Sequence, residues 1–208
     1  MPPKTAEQML ANWQTMTEYE DSLRRQGINL IAGIDEAGRG PLAGPVVAAA
    51  VILPPDAYIP GLDDSKKLSE KKRLLLEPLI KEQALAWAVA EVDHTIIDEI
   101  NILEATKLAM IKAVQQLPKR PQHLLIDALE LAIDIPQTKL IKGDSISVSI
   151  AAASVLAKNA RDRIMEAYAV QYPYYNFAQH KGYPSAAHKA AIAEHGLSPI
   201  HRRSFRST

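Results

Sequence analysis

Cysteine is absent from the 208 residues, which excludes a disulfide scaffold, a thiolate nucleophile and a zinc–thiolate centre together. Net charge is absent too: 24 Lys+Arg offset 24 Asp+Glu, whereas a nucleic-acid binder usually shows a basic excess. No apolar run is long enough for a bilayer, since the longest, Pro45 to Pro55, amounts to about three helical turns. No basic stretch followed by an apolar core opens the chain, so a cytoplasmic location is expected. There is no internal repeat and no low-complexity linker. Against these absences stand 47% hydrophobic and 23% charged residues, ordinary for one folded domain with at most a small appendage.

The charge sum conceals a division. Residues 1–138 hold 14 Lys+Arg and 20 Asp+Glu, a net of −6; residues 139–208 hold 10 and 4, a net of +6, with four of the six histidines. Chance clustering of surface charge is one explanation. A cation site and a polyanion track on one body is the other.

Residues 1–27 are polar and helix-prone and end at Gly27, which predicts a lead-in helix ahead of a body spanning 28–208. Apolar runs at Ile28–Ile34, Val46–Leu53, Ala86–Val92, His123–Asp127 and Lys139–Lys142 read as five strands. Ser69 opens a helix with Glu70 in its first turn, and Pro78 should kink or divide it. Helical periodicity covers Ile96 to Leu117 and Ile146 to Tyr168, and Ser185 and Gly196 bracket a last short helix. Strands first as a cluster, then alternating with helices, predict an α/β class: a mixed five-stranded sheet flanked by helices, with a helical C-terminal extension.

Acidic residues stand at the strand ends: Asp35 with Glu36, Asp127, and Asp144 just beyond the fifth run. Carboxylates are poor strand residues and are rarely buried without a partner. Hard oxygen ligands without His or Cys favour Mg²⁺ or Mn²⁺, and a pair of such ions can bind both oxygens of an in-line phosphodiester displacement. Each acid taken singly also fits a solvated strand-end cap. Asp35 and Glu36 point to opposite faces of a strand, so both serve one site only if the strand ends or bulges there. Gly38-Arg39-Gly40 is neither a Walker A loop nor a dinucleotide fingerprint, but permits close approach to a ligand with a guanidinium for phosphate. Asp64-Ser65-Lys66-Lys67 offers a hydroxyl and two cations, or simply a solvated charge run.

Taken together, GIDEAGRGPLAGPVVAAAVIL (33–53), DSKKLSEKKR (64–73), LIDAL (125–129), KGDSISVSIAAASVLAKNARD (142–162), HKGYPSAAH (180–188) and PIHRRSF (199–205) resemble bacterial ribonuclease HII, nearly continuously from residue 28 to 206. The resemblance implies a ribonuclease H-like fold and an endonuclease for the RNA strand of RNA–DNA hybrids. It also implies incision 5′ of single ribonucleotides embedded in duplex DNA, leaving 5′-phosphate and 3′-hydroxyl ends. Position by position it places Asp35, Glu36, Asp127 and Asp144 on the metal-binding carboxylates. Gly38, Arg39 and Gly40 fall on the loop that reads the 2′-hydroxyl, and Tyr183 on the tyrosine packing against the adjacent deoxyribose. Ser65 and Lys66 join them as substrate-binding candidates, and a monomer is expected.

Two departures from the family pattern stand out: Ala128 follows the third carboxylate where many members have Gly, and only about 30 residues precede the core where some relatives carry a further substrate-binding domain. Lys142, Lys158, Arg161, Lys181, Arg202 and Arg203 are available for phosphate contacts, though each taken singly reads first as a solvated cation. His180, His188 and Ser154 are expected to be structural rather than catalytic. Rival classes are a DNA nuclease or recombinase on the same fold, and a non-enzymatic nucleic-acid-binding module.

Overall fold

Small and branched apolar side chains make Val46–Ile52 the centre of the fold, and every residue of this strand is buried. Both of its faces are covered. Val46, Ala48, Ala50 and Ile52 join one hydrophobic cluster, and Ala49 and Val51 the other, which is why the run is continuously apolar rather than alternating. The computed structural model describes residues 5–205, so the outermost positions of the predicted 1–27 and 28–208 segments lie outside the described residues.

In chain order the elements are α1 (Ala6–Met16), α2 (Glu18–Arg25), β1 (Ile31–Ala37), β2 (Val46–Ile52), α3 (Glu70–Gln83), β3 (Ala86–Val92), α4 (His94–Gln115), β4 (His123–Asp127), β5 (Gln137–Leu140), α5 (Val148–Gln171), α6 (Phe177–His180) and α7 (Ala186–His195), with 3₁₀ turns at Gly143–Ser145 and Pro173–Tyr175. The strands form one sheet in the order β3-β2-β1-β4-β5. Its β1–β2 and β2–β3 pairs are antiparallel, and its β1–β4 and β4–β5 pairs parallel. The α4 side chains Ile97, Ala105, Ala109 and Met110 cover one face. Leu76 and Ile80 of α3, with the apolar residues of α5, cover the other.

The tightest packing is between backbones. A Cβ on Gly33 of β1 would lie 2.1 Å from the carbonyl carbon of Ser149 and 2.3 Å from the amide nitrogen of Ile150. Only glycine lets α5 rest on the strand at this point.

Several boundaries differ from the sequence reading. The first strand runs from Ile31 to Ala37, not 28 to 34, so Asp35 and Glu36 lie inside it. The lead-in is two helices, and buried Glu20 on α2 accepts hydrogen bonds from the Ser147 hydroxyl (2.7 Å) and the Ser149 amide (3.0 Å) at the start of α5. Pro78 does not divide α3. The carbonyl it leaves free belongs to Leu74, on an exposed side of the helix where water can satisfy it. The α4 helix is instead broken at Asn101 (φ 68°), whose side chain accepts from the amides of Leu103 and Glu104 and so caps a new helix start. The fifth strand is Gln137–Leu140 rather than 139–142, because Lys142 takes a left-handed conformation (φ 58°) that ends it. Ser69 and Ser185 cap α3 and α7 as the sequence indicates.

Replacing Gly33 by Ala forces a methyl into the α5 backbone. Urea denaturation of Gly33→Ala should show a loss of at least about 2 kcal/mol of unfolding free energy.

Candidate active site

The sheet order makes β1 and β4 parallel neighbours, with Ile34 opposite Ile126; Asp35 and Asp127 are the next residues on each strand. The expected strand end or bulge after Asp35 is not there, since β1 continues in regular register to Ala37 opposite Val47. The sheet itself is stepped instead: β4 stops at Asp127, beside Leu140 of β5, while β1 and β2 run on. At this step the Asp127 charge acts on both Asp35 and Glu36.

Asp35 is 3% exposed. Burial first, then the charges of Glu36 and Asp127, push its carboxyl well above the usual range, against hydrogen bonds from the Glu36 amide and Ser154. Glu36 is likewise raised by burial, although Arg39 Nη1 lies 3.4 Å from its Oε1. Asp144, in the 3₁₀ turn after β5, is raised by burial and by the neighbouring Asp64 carboxyl despite Lys66 Nζ at 3.1 Å from its Oδ2. For Lys66, burial lowers the pKa but Asp144 outweighs it and the net shift is upward. Asp127 Oδ1 accepts the Gly143 amide at 2.7 Å.

Sequence reasoning missed two members of this cluster. Asp64 looked like part of a charge run, yet it is buried against Asp144. Ser154 looked like a packing residue, yet it lies near enough to Asp35 to favour its charged form and shares a 2.6 Å hydrogen bond with the Ser65 hydroxyl. Ser65 is therefore engaged internally, whereas the Lys66 side chain is 76% exposed. A hydroxyl closing the AAAS run of the helix was the available signal for Ser154.

The donor set is oxygen throughout, and Glu36 Oε2 is buried with no hydrogen-bond partner, as suits a hard divalent cation. Among the described residues no three of these groups stand together as a ready ligand set: Lys66 engages Asp144, and the Gly143 amide engages Asp127. Ala128, directly after Asp127, has φ 53°, where a non-glycine residue costs about 1 kcal/mol.

Gly38 (φ +100°) lacks a side chain because Arg161 occupies the space: a Cβ would fall 2.1 Å from Arg161 Nε. Gly40 is exposed, and the nearest group to its missing Cβ is Tyr183 Cε1 at 3.7 Å. Arg39, Gly40 and Tyr183 thus form one exposed patch, with Gly38 buried behind it.

Of the six cations considered for phosphate contacts, four are engaged within the protein, neither solvated nor free for phosphate. Arg161 and Arg202 are each 1% exposed and bond only backbone carbonyls. Lys158 pairs with Asp162 and Lys181 with Glu166. Lys142 and Arg203 stay exposed.

The histidines form a defined chain under Tyr183. His188 Nδ1–H donates to the Tyr183 carbonyl (2.9 Å), which leaves His188 Nε2 to accept from His201 Nε2–H (3.0 Å). His201 Nδ1 then accepts from the Ser198 amide and hydroxyl. His180 stacks on His188 at 4.4 Å. Both partners of the His188–His201 bond must be neutral, and burial, then the repulsion a protonated His188 would exert, push His201 down to about 4. The expected structural role of His180 and His188 agrees with this geometry.

Two concavities, of about 360 and 770 Å³, lie against α4 and the segment after β4, and none of the candidate residues lines them. No helix among the described residues is long and apolar enough to cross a membrane.

A family model described as Ribonuclease HII matches residues 32–208. The chain belongs to the ribonuclease HII family. A ribonuclease HII of Geobacillus sp. strain WCH70 is 57% identical over 97% of this chain and 73% of its own length, and one of Bacillus pumilus 55% identical over 96% and 78%. The ribonuclease H2 structure from Pyrococcus horikoshii OT3 superposes with a TM-score of 0.71 at 27% identity, over 85% of this chain and 94% of its own. A Bst-RNase HIII structure in complex with Mn²⁺, with a TM-score of 0.68 at 22% identity over 89% of this chain and 70% of its own, shares the ribonuclease H-like fold. As a family member this chain is a divalent-metal-dependent endonuclease that cleaves RNA in RNA–DNA hybrids and at single ribonucleotides in DNA.

Two titrations follow. In metal-free protein, folded Asp35 keeps its proton above the ordinary value of 3.8, so the native state binds more protons and stability falls as pH rises from there through the raised folded value. Asp35→Asn should flatten that slope and raise the neutral-pH melting temperature, as read by thermal denaturation in EDTA. His201 should stay neutral on acidification until about pH 4, read from its ring protons by NMR.

Proposed function

We propose that Asp35, Glu36, Asp127 and Asp144 hold Mg²⁺ or Mn²⁺, and that Gly38, Arg39, Gly40 and Tyr183 read the RNA–DNA junction. The observation that supports this reading is the burial of Asp35 on the strand next to Asp127, with the Glu36 Oε2 atom buried and without a hydrogen-bond partner. A divalent ion bound there supplies a water of lowered pKa and positive charge toward the scissile phosphate. The Asp35 carboxylate accepts a hydrogen bond from the Glu36 amide, and the nearby Ser154 favours its charged form. Ser65 anchors its loop to Ser154, so that Lys66, exposed beside Asp144, is presented to a substrate phosphate.

Only the 2′-hydroxyl distinguishes a ribonucleotide from its DNA neighbours, so the junction must be read by direct contact with it. The exposed Gly40 backbone admits that contact, and the neighbouring Tyr183 ring packs against the next sugar. Of the six cations considered for the duplex backbone, Lys142 and Arg203 are the exposed ones. We further propose that residues 28–208 act as the catalytic body of a cytoplasmic monomer, with α1 and α2 buttressing α5 through Glu20.

The test is cleavage of a duplex carrying one ribonucleotide, with Mg²⁺ and with Mn²⁺. Wild type should cut 5′ of the ribonucleotide, leaving 5′-phosphate and 3′-hydroxyl ends, and lose activity in EDTA. Asp35→Asn should lose about 10³-fold or more, the several kcal/mol of a charge-stabilising metal. Tyr183→Ala should lose about 10–100-fold, the worth of an aromatic stacking contact. A folded Asp35→Asn protein with full activity would overturn the metal assignment.

A further inference from the structure

Arg161 and Arg202 are fully buried cations, and among the described residues neither has a carboxylate at ion-pairing distance. Arg202 donates Nε to the carbonyl of Gly44 (2.9 Å), Nη1 to those of Arg39 (3.0 Å) and Pro41 (2.8 Å), and Nη2 to that of Gly38 (2.6 Å). Arg161 donates to Pro45 (3.0 Å), Ala43 (3.1 Å) and Lys181 (3.0 Å). Burying a charge against neutral carbonyls is costly, and apolar side chains would fill the same space more cheaply. What the rigid guanidinium fork provides is orientation of several peptides at once.

The peptide unit is planar and trans, so a carbonyl turned inward turns the next amide outward. With the Gly38 and Arg39 carbonyls held by Arg202, the N–H groups of Arg39 and Gly40 face away from it, and neither donates a hydrogen bond within the described residues. Arg161 joins this loop to the second half of the patch. It binds the carbonyl of Lys181, two residues before Tyr183, and its guanidinium carbon lies 5.9 Å from the Tyr183 ring centroid. The backbone around Arg202 is itself fixed, since the amides of Arg203 and Ser204 donate to Asp98 on α4 at 2.8 and 2.9 Å.

We infer that Arg161 and Arg202 are positioning residues for ribonucleotide recognition, locking residues 38–45 with the Arg39 and Gly40 amides turned outward and docking them beside Tyr183. This rests on the junction-reading role proposed for that patch. The test measures affinity by fluorescence anisotropy for a duplex with one ribonucleotide and for the same duplex in all-DNA form. Asp35→Asn serves as the background, so that substrate is held uncut. Arg161→Lys and Arg202→Lys keep the charge but lose the fork. Each should shrink the preference for the ribonucleotide by about tenfold, one or two well-placed hydrogen bonds, while all-DNA affinity stays within about twofold.

A misfolded fraction scales both affinities alike and leaves their ratio untouched. Equal losses on both duplexes would therefore assign the arginines a purely structural role and overturn the inference. So would a ratio kept in both Lys variants but lost in Tyr183→Ala. A ratio unchanged in Tyr183→Ala as well would overturn the junction reading itself.

Discussion

The backbone of α5 lies directly on the backbone of β1 at Gly33, and the site is laid out along that contact. From the point where Ser149 and Ile150 touch Gly33, helix and strand advance together: Ser154 reaches Asp35, and Arg161 fills the space beside Gly38. Farther on, Met165 Sδ occupies the position of a Gly44 side chain. The stretches Ser149–Arg161 and Gly33–Gly38 are each about 17–18 Å long at the usual rise per residue, so the two elements stay in step. Glu20 fixes the start of the helix, and Arg161, through the Lys181 carbonyl, ties its far half to the loop that carries Tyr183.

Charge is placed inside this framework in both signs without mutual neutralisation. Asp35, Glu36 and Asp127 repel one another at the step in the sheet, and burial raises the cost of ionising Asp35 and Glu36. Arg161 and Arg202 lie beneath the neighbouring loop against carbonyl dipoles alone. Neither arrangement is what stability would select. Each suits the ligand proposed for it: an excess of carboxylate for a cation, and fixed peptide dipoles for a hydroxyl. The histidine chain under Tyr183 does the same kind of work with neutral groups, since every donor meets one acceptor only while both imidazoles are uncharged.

Much of this was legible in the residues. The five apolar runs are the five strands, displaced by two or three positions at β1 and β5. Ser69 and Ser185 cap the helices they were expected to cap. The boundary errors have local causes: Asn101 offers its side chain as a cap inside an apolar periodicity, and Lys142 leaves the strand region because the chain turns into Asp144. The −6 and +6 halves of the chain pointed to a cation site and a polyanion track, yet Arg161, Arg202, Lys158 and Lys181 turned out to be occupied within the protein. A charge count cannot distinguish a solvated arginine from one that holds a loop.

By itself the sequence determined the α/β class, the acidic residues, the glycine-flanked arginine and, through long ordered motifs, the family. These are properties of periodicity and residue type, which are local along the chain. Tertiary structure alone decided that Asp35 and Asp127 are neighbours, because that follows from the parallel pairing of β1 with β4. It also decided that Ser154 and Asp64 lie beside Asp35 and Asp144, and that the missing Gly38 side chain makes room for Arg161. The physical reason is common to all three. Each is a contact between segments far apart in the chain, fixed by which strand pairs with which and by how closely α5 can approach the sheet.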